Sequence, residues 1–438
     1  MSETPSPATA RRVFLLLTGT RWFPVGLVVG LITLLPLERG LSVGEALLAF
    51  SLSGFVVFAL ELPTSGFADA FGRRPVLVAS AVVNVLASVL YVVADSFLAF
   101  ALAAVLTGVF RALDSGPLEA WFVDTVHATR PGADVDRQLS AQGTVIGLSI
   151  ATGALLSGGL VYWHPLPAES ALLLPFVVCA ALNVLHLVAV LALMDEPDAH
   201  NGAVETAGLR TALASAREAP LVIRDGIRML RHNRVLRGLV LVEAFWACAM
   251  VVFEKFQPIR LAELLASEEQ AGALMGPVAA AGWGTFALGA ALAGLCAARL
   301  GVARTAILMR VLNSLGAVVM GLVAGPAALI AAYLFTYGLH GAGGPMHSSL
   351  LHREAQARNR ATVLSMNSMT MFVAFSLAAL LLGQLADGFS NQAAMVTAGA
   401  VSLFGAALYL PALRAESVRT VDAARSSLPD GHQPSVAS

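Results

Sequence analysis

Several ionisable side chains stand inside long apolar runs of this chain, and their spacing is the first clue to chemistry. The stretch GVFRALDSGPLEAWFVD, residues 108–124, puts Arg111 and Asp114 three apart on one helical face, with Glu119 and Asp124 further along. Arg21 sits in an earlier run, Glu243 in a later one, and His340 and His347 stand seven apart, two turns on one face. A charge at the centre of a hydrocarbon layer costs about 2.5–3.5 kcal/mol, so each is a functional candidate. A carboxyl beside an arginine either alternates between pairing and protonation, which moves a proton, or cancels two buried charges permanently. Both readings stay open for Arg111 and Asp114. Glu243 binds a proton or a cation, or pairs with Arg21, and pairing is the expectation. Glu119 either couples to protons or contacts Arg73. Two histidines are too few for a metal site, so His340 and His347 are expected to hydrogen-bond in a cavity. Trp22, Phe245, Trp246 and Tyr337 accompany these groups as candidate cavity walls. Arg310, in a run of its own, has no evident role.

The elements that position them follow from composition. Of 438 residues, 57% are apolar and 13% charged, against about a quarter charged in a soluble domain. Apolar runs of bilayer-spanning length recur from end to end, without the period-two alternation of barrel strands. Twelve helical spans are expected, at 13–36, 43–66, 74–95, 97–123, 138–162, 171–194, 236–257, 271–298, 304–324, 327–351, 361–386 and 393–412. Residues 1–12 carry acid and proline, and no cleavage pattern follows, so the first span is expected to be retained. With both ends on one side, 21 of the 27 basic residues fall on that side and only Arg39, Lys255 and Arg260 on the other. This bias places both termini in the cytoplasm of a cell-membrane protein. Cys179, Cys248 and Cys296 lie in apolar runs and read as packing residues. There is no phosphate loop, nucleophile elbow or ligand cluster. The expectation is therefore a non-enzyme without metal or cofactor, acting as a monomer in the lipid bilayer on a small molecule and not on nucleic acid.

The longest loop divides the spans six and six. It ends in an arginine-striped segment: Ile223, Ile227 and Leu230 on one face, Arg224, Arg228 and Arg231 on another, expected to lie on the inner membrane surface. Gly116-Pro117 resembles Gly344-Pro345, 228 residues on; Gly72 resembles Gly301, 229 on; ALLSGGL at 154–160 resembles ALLLGQL, 225 on. A nearly constant offset marks an internal repeat. The predicted organisation is an N-terminal six-helix bundle (1–197), a cytoplasmic linker with the amphipathic helix (198–235), a C-terminal six-helix bundle (236–412) and a tail (413–438). Ser149, Gly153 and Ser157, four apart, predict a close packing seam against span 8.

One motif remains. GFADAFGRRP, between spans 2 and 3, resembles the signature of the major facilitator superfamily at Gly66, Asp69, Gly72, Arg73 and Arg74, with Asp69 one residue sooner than in the commonest form. The resemblance implies an all-α membrane protein of twelve transmembrane helices in two pseudo-symmetric bundles, the major facilitator fold. It implies that spans 1, 4, 7 and 10 line a central cavity, where most of the intramembrane charges fall. It also implies a gating latch, in which Asp69 caps span 11 and Arg73 reaches Asp124. Antiporters of the family carry Gly-Pro-x-x-Gly-Gly in span 5. Gly158 and Gly159 match its end, whereas Ala154 and Leu155 replace Gly-Pro. The expected function is proton-driven efflux of small amphipathic, drug-like compounds. The alternative is proton-coupled import of a metabolite; a membrane enzyme or sensor comes last.

Overall fold

The computed structural model describes residues 6–64, 67–130, 132–195, 221, 223–355 and 360–426, and every regular element among them is helical. The long helices are α1 (Pro7–Val29), α2 (Val43–Thr64), α3 (Arg73–Val93), α4 in two stretches (Phe97–Asp114 and Pro117–Thr129), α5 (Asp136–Trp163) and α6 (Leu173–Leu193). Then come α7 (Arg234–Val251, running through a π turn at Val252–Phe256 into Gln257–Leu265), α8 (Glu268–Leu300), α9 (Val302–Leu322), α10 (Pro326–Glu354), α11 (Arg360–Gly388) and α12 (Asn391–Gly405, continued to Ser426). Eleven of them are long and apolar enough to cross a membrane. The exception is α10, which has the length but dilutes its apolar content with Tyr337, His340, His347 and several glycines.

Helix pairing carries the internal symmetry. In the first half α1 packs on α5 and α6, and α3 and α4 complete the set through α2–α4, α3–α4 and α3–α6. In the second half the main pairs are α7–α11, α7–α12, α8–α10, α9–α10 and α9–α12, each being one of the first set advanced by six helices. The chief pairs between the halves are α2–α11 and α5–α8, which the same operation exchanges. The repeat extends to backbone detail. Gly72 and Gly301 precede α3 and α9 with φ 92°, ψ 157° and φ 84°, ψ 159°, a conformation open essentially to glycine alone. Gly116-Pro117 and Gly344-Pro345 diverge instead: Gly116, at φ 93°, breaks α4, whereas Pro345 stays inside a continuous α10.

The boundary between halves closes at one end. A Cβ on Gly158 of α5 would stand 2.7 Å from the Ala273 carbonyl and 2.9 Å from Gly276 Cα on α8. About three turns along the same face of α5, Gly147 has nothing within 4 Å, and about five turns along α8 from Gly276 neither has Gly294. The α2–α11 pair is also clasped at the closed end. Asp387 accepts from the Ser42 hydroxyl (2.7 Å) and from the Gly44 amide (3.0 Å), capping α2 with a carboxylate from the other half. His164 Nδ1, beyond α5, stands 3.4 Å from Glu269 at the start of α8. The halves part toward the end where α1 begins and α12 finishes.

Two expectations are corrected here. The seam of Ser149, Gly153 and Ser157 packs on α1, not span 8: Ser157 donates to the Leu27 carbonyl at 2.6 Å and Gly153 lies against Phe23 and Gly26. The face toward α8 is one residue further round, at Ala154 and Gly158. Lys255 and Arg260 are buried in the helical extension of α7 and are not loop residues. Arg260 donates to the Val323 carbonyl that ends α9, as Arg39 donates to Val92 and Ala94 at the end of α3. In the linker, residues 223–232 are helical; Arg224, Arg228 and Arg231 are exposed and Gly226 meets Met366 of α11, while 198–220 and 222 lie outside the described residues.

Candidate functional site

In the first half, Arg21 of α1 donates from Nε to Asp114 Oδ2 of α4 at 2.9 Å. Its guanidinium stacks on Phe110 (4.2 Å to the centroid) and Trp22 (4.9 Å). The partner of Asp114 is thus Arg21, which corrects both the local pairing with Arg111 and the pairing of Arg21 with Glu243. The glycine break after Asp114 ends the helix there and lets the carboxylate turn to α1. Arg111, three residues back, is exposed and lies 5.3 Å from the ring of Phe372 on α11, across the boundary. Glu119 is exposed in the first turn of the second stretch of α4.

At the open end, Arg73 Nη2 is 3.4 Å from Asp124 Oδ2, and Arg74 donates to the Leu191 carbonyl at 2.8 Å. Both contacts tie helices within the first half. The cross-half part of the latch rests on Gly66 and the Asp69 side chain, which lie outside the described residues.

The second half holds a denser network. Glu243 Oε1 of α7 meets His347 Nε2 of α10 at 2.9 Å and Asn367 Nδ2 of α11 at 3.4 Å. His347 Nδ1 is 2.8 Å from the Tyr409 hydroxyl on α12, which also receives Arg310 Nε of α9 at 3.3 Å. Arg310 in turn lies over Trp246, 3.8 Å from its centroid. The cluster draws side chains from α7, α9, α10, α11 and α12. Glu243 and His347 are only 3% and 5% exposed, so neither can be satisfied by solvent. Arg310, Asn367 and Tyr409 escaped the sequence reading because helix packing, not spacing, joins them. The buried arginine was their one visible signal.

Between this cluster and the boundary lies a set of rings. His340 is within about 5 Å of Trp246 and Phe253 and slightly further from Phe286 and Tyr337, and Tyr337 also meets Tyr333 and Trp283. Tyr337 donates to Glu254 at 3.2 Å, and neighbouring Lys255 sits 3.6 Å from the ring centroid of Phe50, in the other half. Glu254 and Lys255 were not singled out as site residues because they stand near the expected end of span 7, where the π turn keeps the chain helical and buried; such turns often mark functional sites. Phe245 faces away, against Gly405 of α12, and is not a wall of this region. The arrangement offers an aromatic surface edged by Arg111, Glu254 and Lys255, with fixed polar clusters behind it in each half.

Residues 14–282 match the family model of the Major Facilitator Superfamily. No curated protein matches the chain in sequence. Among solved structures it is similar to the nucleoside transporter NupG, with TM-score 0.73 and 11% identity over 92% of this chain and 98% of that one. It is also similar to the peptide transporter POT in complex with sulfate, with TM-score 0.66 and 15% identity over 92% and 94%. A bacterial homologue of the human drug peptide transporters PepT1 and PepT2 aligns with TM-score 0.66 and 13% identity over 95% and 99%. At these identities the likeness is one of fold.

Proposed function

The chain belongs to the Major Facilitator Superfamily, and from that premise we propose a secondary active carrier that exports small amphipathic, ring-bearing compounds in exchange for protons. The observation that carries the reading is the boundary of the halves. It rests on the exchangeable pairs α2–α11 and α5–α8, is tight at Gly158 and Gly276, and is open at Gly147 and Gly294. Two similar bundles that rock about such a boundary expose a midplane site to each side in turn. The rings around Tyr337 suit an apolar, aromatic cargo, and Arg111, Glu254 and Lys255 give it polar handles. In this reading the arginine-rich end with both termini faces the cytoplasm of a cell membrane, the protein works as a monomer, and the proton gradient is the drive.

A second reading, proton-coupled uptake of a metabolite, is favoured by the similar structures, a nucleoside transporter and a peptide transporter. A toxicity panel in an efflux-deficient bacterial host separates the two. The intact chain is compared with a Gly158→Leu form, which jams the boundary, at matched expression. Export raises tolerance to some aromatic compounds, and Gly158→Leu abolishes the gain. Absence of any protection, with faster accumulation of labelled nucleosides or peptides, decides for uptake.

A further inference from the structure

His347 is held so that one of its ring nitrogens is committed and the other is not. Two oxygens face Nε2: Glu243 Oε1 at 2.9 Å and Asn367 Oδ1 at 3.1 Å. Asn367 presents its oxygen here because its amide nitrogen points to Glu243 at 3.4 Å. With two acceptors before it, Nε2 carries a proton and donates. Nδ1 faces only the Tyr409 hydroxyl, at 2.8 Å. A hydroxyl donates or accepts by rotating, so Nδ1 has a partner in either protonation state. When Nδ1 is bare, Tyr409 donates to it; when Nδ1 is protonated, it donates to the Tyr409 oxygen. Arg310 Nε donates to that same oxygen in both states. Nothing heavier than hydrogen has to move.

The surrounding charges are balanced for this exchange. Glu243 faces His347 from α7, Arg310 from α9 and Tyr409 from α12, while α11 contributes the neutral Asn367 and α10 itself carries His340 two turns away on the same face. With Nδ1 bare, Glu243 and Arg310 cancel; with Nδ1 protonated, the cluster carries one net positive charge. Two further atoms are buried with no described partner, Glu243 Oε2 and Arg310 Nη2. One accepts and the other donates, and Arg310 acts electrostatically on Glu243 as the imidazole does. Arg21 and Asp114 have no such rotating partner: the guanidinium meets the carboxylate directly, at 2.9 Å.

From this geometry we infer that His347 Nδ1 is where the carrier binds and releases its coupling proton, with Glu243 as counter-charge and Tyr409 as the rotating partner. The inference rests on the proton-coupled reading above and moves the coupling away from Asp114, into the second half. The bond that forms is Nδ1–H, and the proton leaves the same way to the opposite side once the halves rock.

Two measurements on the full chain test it. Histidine-selective ¹⁵N NMR in nanodiscs, with the His347 signal identified by its loss in His347→Gln, is expected to show Nε2 protonated throughout and Nδ1 titrating. Glu243→Gln and Tyr409→Phe shift that titration, and Asp114→Asn leaves it in place. In proteoliposomes, ethidium accumulation driven by a pH gradient is expected to fall at least tenfold in His347→Gln, while gradient-free ethidium exchange persists. Retention of gradient-driven accumulation by His347→Gln overturns the inference and leaves the carrier reading standing. If the intact chain moves no ethidium in either mode, export of such compounds is what fails. The NMR then decides for His347: a titrating Nδ1 sustains the site, and a silent one overturns it.

Discussion

In the first half, Arg21 meets Asp114 at 2.9 Å beneath Phe110 and Trp22. In the second, Trp246 stands 225 residues after Arg21, the arginine has moved to α9 as Arg310, and the carboxylate Glu243 is paired with an imidazole. The same helix pairs thus hold two different electrostatic devices. A guanidinium–carboxylate pair is a fixed tie, since its charged state is stable far from either titration. An imidazole held by a carboxylate and a hydroxyl can gain or lose a proton without losing either partner. Duplicated bundles therefore need not duplicate their function: one half can hold the cavity in shape while the other counts protons.

Removing one member of the fixed tie is the largest test of that division. Asp114→Asn leaves Arg21 buried without its counter-charge, an expected loss of about 3–5 kcal/mol. It should appear as a lower melting temperature in detergent, and the double change Arg21→Gln, Asp114→Asn should recover most of the loss. A fully stable Asp114→Asn that loses proton coupling reverses the assignment of the halves. The shared boundary comes next. Gly158→Leu overfills a contact that is already close, at about 1–3 kcal/mol. It drives the closed end apart, so spin labels at Gly147 and Gly294, at the open end, should move closer together. Unchanged distances mean that the boundary does not rock about the α5–α8 contact. The smallest effects separate the two clasps. Asp387→Ala removes the cap of α2 at a cost of about 1 kcal/mol, whereas His164→Ala loosens an exposed pair worth about 0–1 kcal/mol. Cysteine labelling near Ser42 and near Glu269 should therefore rise more for the first than for the second.

Much of the fold was legible because its causes are local. Hydrocarbon length sets the spans, and glycines with a backbone shape of their own mark the repeat, as Gly72 and Gly301 do with nearly identical angles. Local reading failed where a helix outran its expected end or a face was taken one residue wrong. Lys255 and Arg260 were read as loop residues because the π turn of α7 keeps the chain helical to Leu265. The stripe of Ser149, Gly153 and Ser157 gave a correct seam and the wrong neighbour, since spacing names a face and not what covers it.

Composition and periodicity determined that this chain is a helical membrane protein of two similar halves, because a bilayer leaves the backbone almost no alternative. They also singled out Arg21, Asp114, Glu243 and His347, because charge in hydrocarbon is too costly to be incidental. Which of these groups meet was decided only by the packing of helices far apart in sequence. Asp114 turned to a residue 93 positions away rather than to its neighbour Arg111. His347 collected partners from three other helices, since a buried polar atom takes whichever complement the fold brings within reach.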